Sequence, residues 1–539
     1  MEFKQGGPLI PVRVTEGVAS ATFIPQGRMR VKLRGPVEKV VETPAGKSWQ
    51  VRVTQSRPAT LSHRLQLAEF VFADKAGLAR ELKLWEGRGV PVRPQILGSL
   101  YGISGKVIDN RRYIVVLNEV LTPQSSIERR AALMKEHGAA AIPFEEVKTP
   151  PSAILELLDE TGAPVALGED WISAETLDGA GFLVRRVEFG MGYDWHNVED
   201  RLYRGTLAFT ADRNGQLAVI NQVPLEDHLR GLVLSEIFAR AHPEALKAQA
   251  VTARGEVLAK VGLKHLADPY LLCAEQHCAV YRGRTGEVVS TNLAVAETEG
   301  EGLFSSEGRL VDSVYSAVCG GHTEDNESVW GGVPNPHLRA KPDLLVPPKG
   351  APKPKGLRAY LETDFSTACK ASTLSQPSKY RWERTFPAQE LDALAAPLGV
   401  GRVQALKVES RGRSGRARVL TVSGDQGATQ VRGELNIRKL FKMLNSAMFV
   451  VEPKRDAAGV VTEWAFHGGG WGHGVGMCQT GAIGRAEAGH SYRDILRFYF
   501  SGAEVAPIYP PRDGEVSVPP APSASGPPGP LGESHEFAK

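Results

Sequence analysis

The sequence predicts an α+β protein: a mixed, β-rich N-terminal region, then an α+β domain with a helical segment and a β-rich insertion. Short period-two runs (LIPVRV, MRVKL, WQVRV) recur through residues 8–56, broken by Pro and Gly. Helical patterning is concentrated between Val223 and Gly262, and alternation returns over 400–450 (VQALKVES, ARVLTVSG). A chain of 539 residues is expected to hold three to four domains. At 42% hydrophobic and 23% charged residues it can bury an ordinary core, which excludes a disordered protein.

In chain order, residues 1–60 read as a β-rich segment. Residues 61–125 switch to strand, amphipathic helix, strand (RLQLAEFVFA, KAGLARELKLWEGRG, RYIVVLNEV), a small α/β module weakly similar to the glycan-binding SPOR repeat. Residues 126–150 are charged and Ala-rich, so 126–180 is expected to be helix and linker. FLVRRVEF, YRGTLAFT and QLAVINQV over 181–222 are strands, with a turn at Arg213–Asn214–Gly215. Residues 342–359 form a Pro/Lys-rich connector. IRKLFKMLNSA is expected to be an apolar helix, and SYRDILRFYF a helix opened by a Ser491–Asp494 capping box and ended by Gly502. The Pro/Gly/Ser-rich 511–539 cannot bury enough surface to offset its ordering entropy and is expected to be a disordered tail.

Lys and Arg total 64 against 61 Asp and Glu, a net charge of +3. Phosphate neutralisation needs a basic excess on one face, so nucleic acid is not an expected partner. Five cysteines are too few for a disulfide scaffold. MEFKQGGPLIPVRV lacks a basic segment followed by an apolar run, so no secretory signal is expected, and no run of about 18 apolar residues predicts a transmembrane anchor.

Three segments carry candidate chemistry. In Val223–Gly262, Pro243 suits a first helical position, Glu244 the positive helix start and Gly262 the stop, with Leu246, Ala250, Ala253 and Val257 on one stripe. Just before that helix, Glu236 is surrounded by Leu232, Val233, Leu234, Ile237 and Phe238. A carboxyl buried there would have a raised pKa, as a general acid needs; the plain alternative is an exposed glutamate at a helix end. The second segment places His265, Cys273, His277 and Cys278 close in sequence. Two thiolates and two imidazoles suit tetrahedral zinc, but a disulfide, a redox pair or free buried thiols fit the spacing too. Four protein ligands would close the site and make the ion structural.

The third feature is a pair of glycine-rich stretches, 314–332 and 466–489, with Ser316, His322, Glu327, Trp330, His473 and Gln479 among the glycines. Neither holds a phosphate-loop or dinucleotide motif, so no nucleotide cofactor is expected. Glycine permits close backbone approach, and Trp with polar side chains is what a sugar cleft uses; tight loops packed on each other are the alternative.

LEDHLRGLVLSEI, HPEALKAQAVTARGEV, LLCAEQHCAVYRG, YSAVCGGHTEDNESVWGG and GGGWGHGVGMCQTGA occur in this order, trailed by YRDILRFYFSGAEV. Together they resemble the SpoIID/LytB family of peptidoglycan-active proteins. The resemblance covers about 200–508, so 181–510 is taken as the SpoIID-like domain with 335–460 as a β-rich subdomain; it says nothing of 1–180. It implies a lytic transglycosylase acting on glycan strands stripped of stem peptides, or an enhancer of a partner amidase, in the cell envelope or periplasm. It implies Glu236 as the catalytic residue and His265, Cys273, His277 and Cys278 as ligands of a structural zinc. Three positions depart from the family pattern: His228 for its Tyr, Ile237 for its Met, and Cys478 for the Ser of GMSQ.

The implied mechanism needs one acid/base if the nucleophile is the muramic C6 hydroxyl, where a hydrolase needs two carboxylates. Ser316, His322, Trp471, His473 and Gln479 would line the cleft, and Trp330 and Tyr281 would stack on a sugar. A zinc amidase or peptidase is the third reading; it would need an open metal site joined by His322 or His473.

Overall fold

The computed structural model describes residues 3–4, 7–35, 39–139, 141–191, 196–345 and 356–511. They divide into two compact units, one of 3–238, 257–301 and 507–511, the other of 239–256 and 302–506. The expected tail and most of the Pro/Lys-rich connector lie outside the described residues.

The first unit is built on two antiparallel sheets. In one, the strands run Phe3–Lys4, Gly7–Val18, Leu217–Pro224, Thr206–Ala211, Ile172–Thr176, Met29–Leu33, Lys39–Thr43, with Leu272–Cys273 added in parallel beside Gly7–Val18. The other runs Pro164–Glu169, Ser152–Leu158, Trp49–Arg57, Ser20–Pro25, Phe182–Phe189, Asn197–Tyr203. The period-two pattern does what it predicts: Met29, Val31 and Leu33 are buried while Arg30 and Lys32 are not. Phe23 of one sheet lies 5.0 Å from Phe209 of the other and 6.0 Å from Phe182, ring centre to ring centre. The Phe23–Phe209 contact joins the facing sheets.

Residues 60–149 form a module of their own. Thr60–Val71, helix Lys75–Gly87, Val92–Leu97, Arg112–Leu117, helix Pro123–His137 and Ile142–Thr149 follow a β-α-β-β-α-β order. The four strands make one antiparallel sheet, ordered Ile142–Thr149, Thr60–Val71, Arg112–Leu117, Val92–Leu97. Leu65, Leu78, Trp85, Val115 and Leu133 form its core. The module sits between Trp49–Arg57 and Ser152–Leu158, which pair directly, Ser152 opposite Arg57.

Three expectations are corrected. The α/β module runs to Thr149, past 125. Residues 126–180 are not a linker: the helix ends at His137 and four strands follow, Ile142–Thr149, Ser152–Leu158, Pro164–Glu169 and Ile172–Thr176. Residue 181 is no boundary, because strands from 7–33 share sheets with strands from 172–224.

The second unit holds the β-rich 335–460 region. One three-stranded sheet is Arg381–Pro387, Val461–Gly469, Phe449–Arg455; the other is Val403–Arg411, Ala417–Gly424, Gly427–Arg432. Trp382, Phe386, Phe441, Phe449, Trp464 and Phe466 fill its core. The IRKLFKMLNSA helix is shorter than expected, Glu434–Leu440, because Lys442 and Met443 take positive φ and the turn they make lets Phe441 and Leu444 both reach the core. Tyr492–Tyr499 forms with Ser491 as its cap, as expected, but ends at Phe500, before Gly502. Among the described residues no helix is long and apolar enough to cross a membrane.

Candidate functional site

Glu236 is the last residue of helix Leu225–Glu236, which Glu226 and Asp227 open at its positive end. Ile237 is extended and breaks the helix there. The side chain is 5% exposed, and Leu232, Val233 and Ile237 beside it are buried. The alternative of an exposed helix-end glutamate is therefore set aside. The residue sits at the negative end of its helix.

His265, Cys273, His277 and Cys278 converge, their donor atoms all within 4.8 Å of one another. Each is positioned by something different. His265 is in a left-handed turn (φ 52°) after the Pro243–Ala259 helix. Cys273 lies on the short strand paired with Gly7–Val18, opposite Arg13. Zinc–sulfur bonds of about 2.3 Å and zinc–nitrogen bonds of about 2.05 Å give a tetrahedral S···N edge of about 3.6 Å. The Cys273–His277 and Cys278–His277 separations are 3.7 Å and His265–Cys278 is 3.2 Å. The donor set and its spacing fit a tetrahedral ion. Hydrogen bonds from Cys278, His265 and His277 outweigh burial and hold the Cys273 thiol well below its ordinary pKa, so a thiolate is favoured there.

Two residues behind the ligands carry no signal in sequence spacing. Asp268 accepts from His265 Nδ1 at 2.9 Å, which aims Nε2 at the cluster. Arg213 donates to both oxygens of Asp268 at 2.9 Å. Such outer partners fix a ligand's tautomer and orientation.

Tyr281 corrects an expectation. It is 1% exposed, its hydroxyl donates to Asn221 Oδ1 at 2.8 Å, and its ring lies 4.5 Å from that of His228. Both belong to the core, and Tyr281 presents no face to a sugar. His228 is 1% exposed, and neither ring nitrogen has a hydrogen-bond partner among the described residues. Burial lowers its pKa to about 3.

The other predicted site residues lie in the second unit. Tyr315–Ser316 pairs in parallel with Met477–Cys478, and Val318 bridges Trp471, so the two glycine-rich stretches do pack on each other. A Cβ at Gly476 would sit 2.0 Å from the Val314 carbonyl oxygen, and one at Gly320 2.9 Å from the Gly469 backbone. Both glycines have positive φ, so close packing accounts for them. On this platform Trp330 is 52% exposed, its ring 4.9 Å from that of His473. His473 Nδ1 accepts from the Val475 amide at 3.0 Å. Trp471 is half-buried with the Lys379 ammonium 5.0 Å over its ring. His322 is half-buried, Nδ1 donating to the Thr323 carbonyl at 2.7 Å, and burial lowers its pKa. Ser316 and Gln479 are buried; Ser316 Oγ has no hydrogen-bond partner among the described residues, and Gln479 donates to Gln249 at 3.2 Å.

Residues 213–304 match the family model described as stage II sporulation protein. Stage II sporulation protein D of Bacillus subtilis is 27% identical over 308 residues, covering 53% of this chain and 76% of that one. These matches support a SpoIID-family protein. An uncharacterised protein of Brachyspira hyodysenteriae is 27% identical over 58% of this chain and 74% of its own length. The amidase enhancer of Bacillus subtilis is 27% identical over 51% of this chain; the match spans only 39% of that relative. Residues 324–476 match a domain of unknown function. Glu236, His265, Cys273, His277 and Cys278 fall within the family match. Trp330, Trp471 and His473 fall within the second match, and Ser316, His322 and Gln479 in neither.

Proposed function

We propose that the protein is a peptidoglycan lytic transglycosylase of the cell envelope with Glu236 as its general acid/base. The observation that carries this reading is the burial of Glu236 among apolar residues, at the negative end of its helix and inside the family match. The carboxyl would act in its proton-bearing form, the form that can donate. Glu236 would protonate the glycosidic oxygen as its bond to muramic C1 breaks. It would then take the proton of the C6 hydroxyl as that oxygen bonds to C1 and closes the 1,6-anhydro ring. No second carboxylate is required, since water is not the nucleophile. Trp330, exposed beside His473, offers an aromatic face to a sugar ring.

His265, Cys273, His277 and Cys278 would hold a zinc ion. With four protein donors the ion would brace the chain that follows the catalytic helix, and no step of the reaction passes through it. That closed set is why an amidase or peptidase reading ranks below the transglycosylase. The name of the amidase enhancer supports a second reading, stimulation of a cell-wall amidase by a protein that binds glycan without cutting it.

Incubation with glycan strands stripped of stem peptides should yield 1,6-anhydromuramic ends, and Glu236→Gln should lower the rate about 10²–10⁴-fold. Unchanged product formation by Glu236→Gln would sink the assignment. Glycan binding without anhydro products, together with stimulation of an added amidase, would establish the second reading.

A further inference from the structure

The second unit contains another convergence of metal-binding side chains. Cys319, Asp343, Cys369 and Cys478 are each 0% exposed, and their donor atoms all lie within 4.8 Å of one another. They come from four separate places: the first glycine-rich stretch, the chain that bridges His322 at Pro342, the short helix Ala368–Ala371, and the cap of helix Gln479–Glu487. We propose that these four residues form a second, structural zinc site.

The spacing fits the ion. Zinc–sulfur bonds of about 2.3 Å put two sulfurs of a tetrahedron about 3.8 Å apart, and a zinc–oxygen bond of about 2.1 Å puts sulfur and oxygen about 3.6 Å apart. Cys319 Sγ is 3.8 Å from Cys369 Sγ and 3.3 Å from Asp343 Oδ2. A disulfide would bring one sulfur pair to about 2.05 Å and leave the third thiol and the carboxylate without a role. A cluster of several irons would hold its thiolates farther apart. Three sulfurs and one oxygen around one centre suit a borderline, tetrahedral cation.

The surroundings are those of ligands held in place. Two backbone amides point at Cys478 Sγ, from Cys319 at 3.2 Å and Gly481 at 3.3 Å. Amides aimed at a sulfur stabilise a thiolate. Asp343 Oδ1 accepts from Arg485 Nη2 at 2.8 Å, and the Tyr499 hydroxyl lies 2.9 and 3.0 Å from the two carboxylate oxygens. These bonds fix the carboxylate while leaving lone pairs on Oδ2, and the Arg485 guanidinium offsets part of the negative charge of the ligand set. The site has no space to spare: a Cβ at Gly481 would fall 2.4 Å from Asp343 Oδ2 and 2.2 Å from the Tyr499 hydroxyl. An ion here would tie both glycine-rich stretches to the 343–369 segment.

The test is metal content of the full-length protein, purified under reducing conditions and dialysed against metal-free buffer after loading with Zn²⁺ alone. About two zinc ions per chain are expected. Cys369→Ser and His277→Ala should each leave about one, and the double variant none. Cobalt substituted into His277→Ala should retain thiolate-to-metal charge-transfer absorption, supplied by the three remaining cysteines. One ion per chain in the wild type, abolished by His277→Ala, would overturn the proposal even if Cys369→Ser fails to fold. So would a Cys319–Cys369 disulfide in the reduced preparation, or two ions retained by Cys369→Ser.

Discussion

His228 shows how one buried side chain sets the acid response of its unit. The folded imidazole stays neutral down to about pH 3, held so by burial, whereas an exposed one in the unfolded chain takes a proton below about pH 6.5. The unfolded state thus binds more protons on acidification, and stability falls between these values by up to about 1.4 kcal/mol per pH unit. His228→Phe keeps the ring contact with Tyr281 and removes the titration. It should gain about 2 kcal/mol over the wild type at pH 5 relative to the same comparison at pH 8, read from urea unfolding. An equal difference at both pH values would refute this. At the same scale, the burial of Glu236 and the convergence of His265, Cys273, His277 and Cys278 were legible in the sequence, because local apolar context and soft-donor composition survive without coordinates. Asp268 and Arg213 were not, since their role depends on a contact across 55 residues. The Tyr281 error has the opposite cause: an aromatic beside a candidate site looks the same whether it faces a ligand or packs on His228.

At the scale of elements, the helix Leu225–Glu236 is seated by its closest approach. A Cβ at Gly231 would meet Tyr281 Cε2 at 2.6 Å and the Gly283 carbonyl oxygen at 2.7 Å. Backbone cannot yield as a flexible side chain can, so Gly231→Ala should cost about 1–3 kcal/mol of stability. An unchanged urea midpoint would mean that the helix shifts freely. The helices Lys75–Gly87 and Pro243–Ala259 were readable from periodicity, Pro and Gly alone. The strands between 152 and 176 were not, because their stability comes from partners such as Trp49–Arg57 that lie some hundred residues earlier. IRKLFKMLNSA carried a helical pattern, but burying both Phe441 and Leu444 through a turn won over propensity.

Across the whole molecule, an N-terminal region that resembled nothing specific proves joined to the Cys–His cluster: Gly7–Val18 is the strand that pairs with Leu272–Cys273. The module of 60–149 is different. It has its own core, and it touches the end of the Pro243–Ala259 helix through Tyr101, which donates to the Leu258 carbonyl at 2.6 Å, and Asn110, which donates to those of Ala259 and Val261. Excising it and joining Arg57 to Ser152 by a tight turn should leave a cooperatively folding protein with a lower melting temperature. Loss of the cooperative transition would show that the module is part of the host fold.

The pairing of Arg57 with Ser152 also sets an order of events as the chain folds. Until the module has formed, that contact closes a loop of about 94 residues; afterwards the two strands meet almost as a hairpin does. Loop closure costs about 0.6 kcal/mol for each doubling of length, so prior folding of the module lowers the entropic barrier to joining the host strands by about 2 kcal/mol. The longest-range pairing inside the insertion is Thr60–Val71 with Ile142–Thr149, whereas the host sheets depend on more distant ones, such as Gly7–Val18 with Leu217–Pro224. The faster piece thereby acts as a clamp that brings the slower one into register.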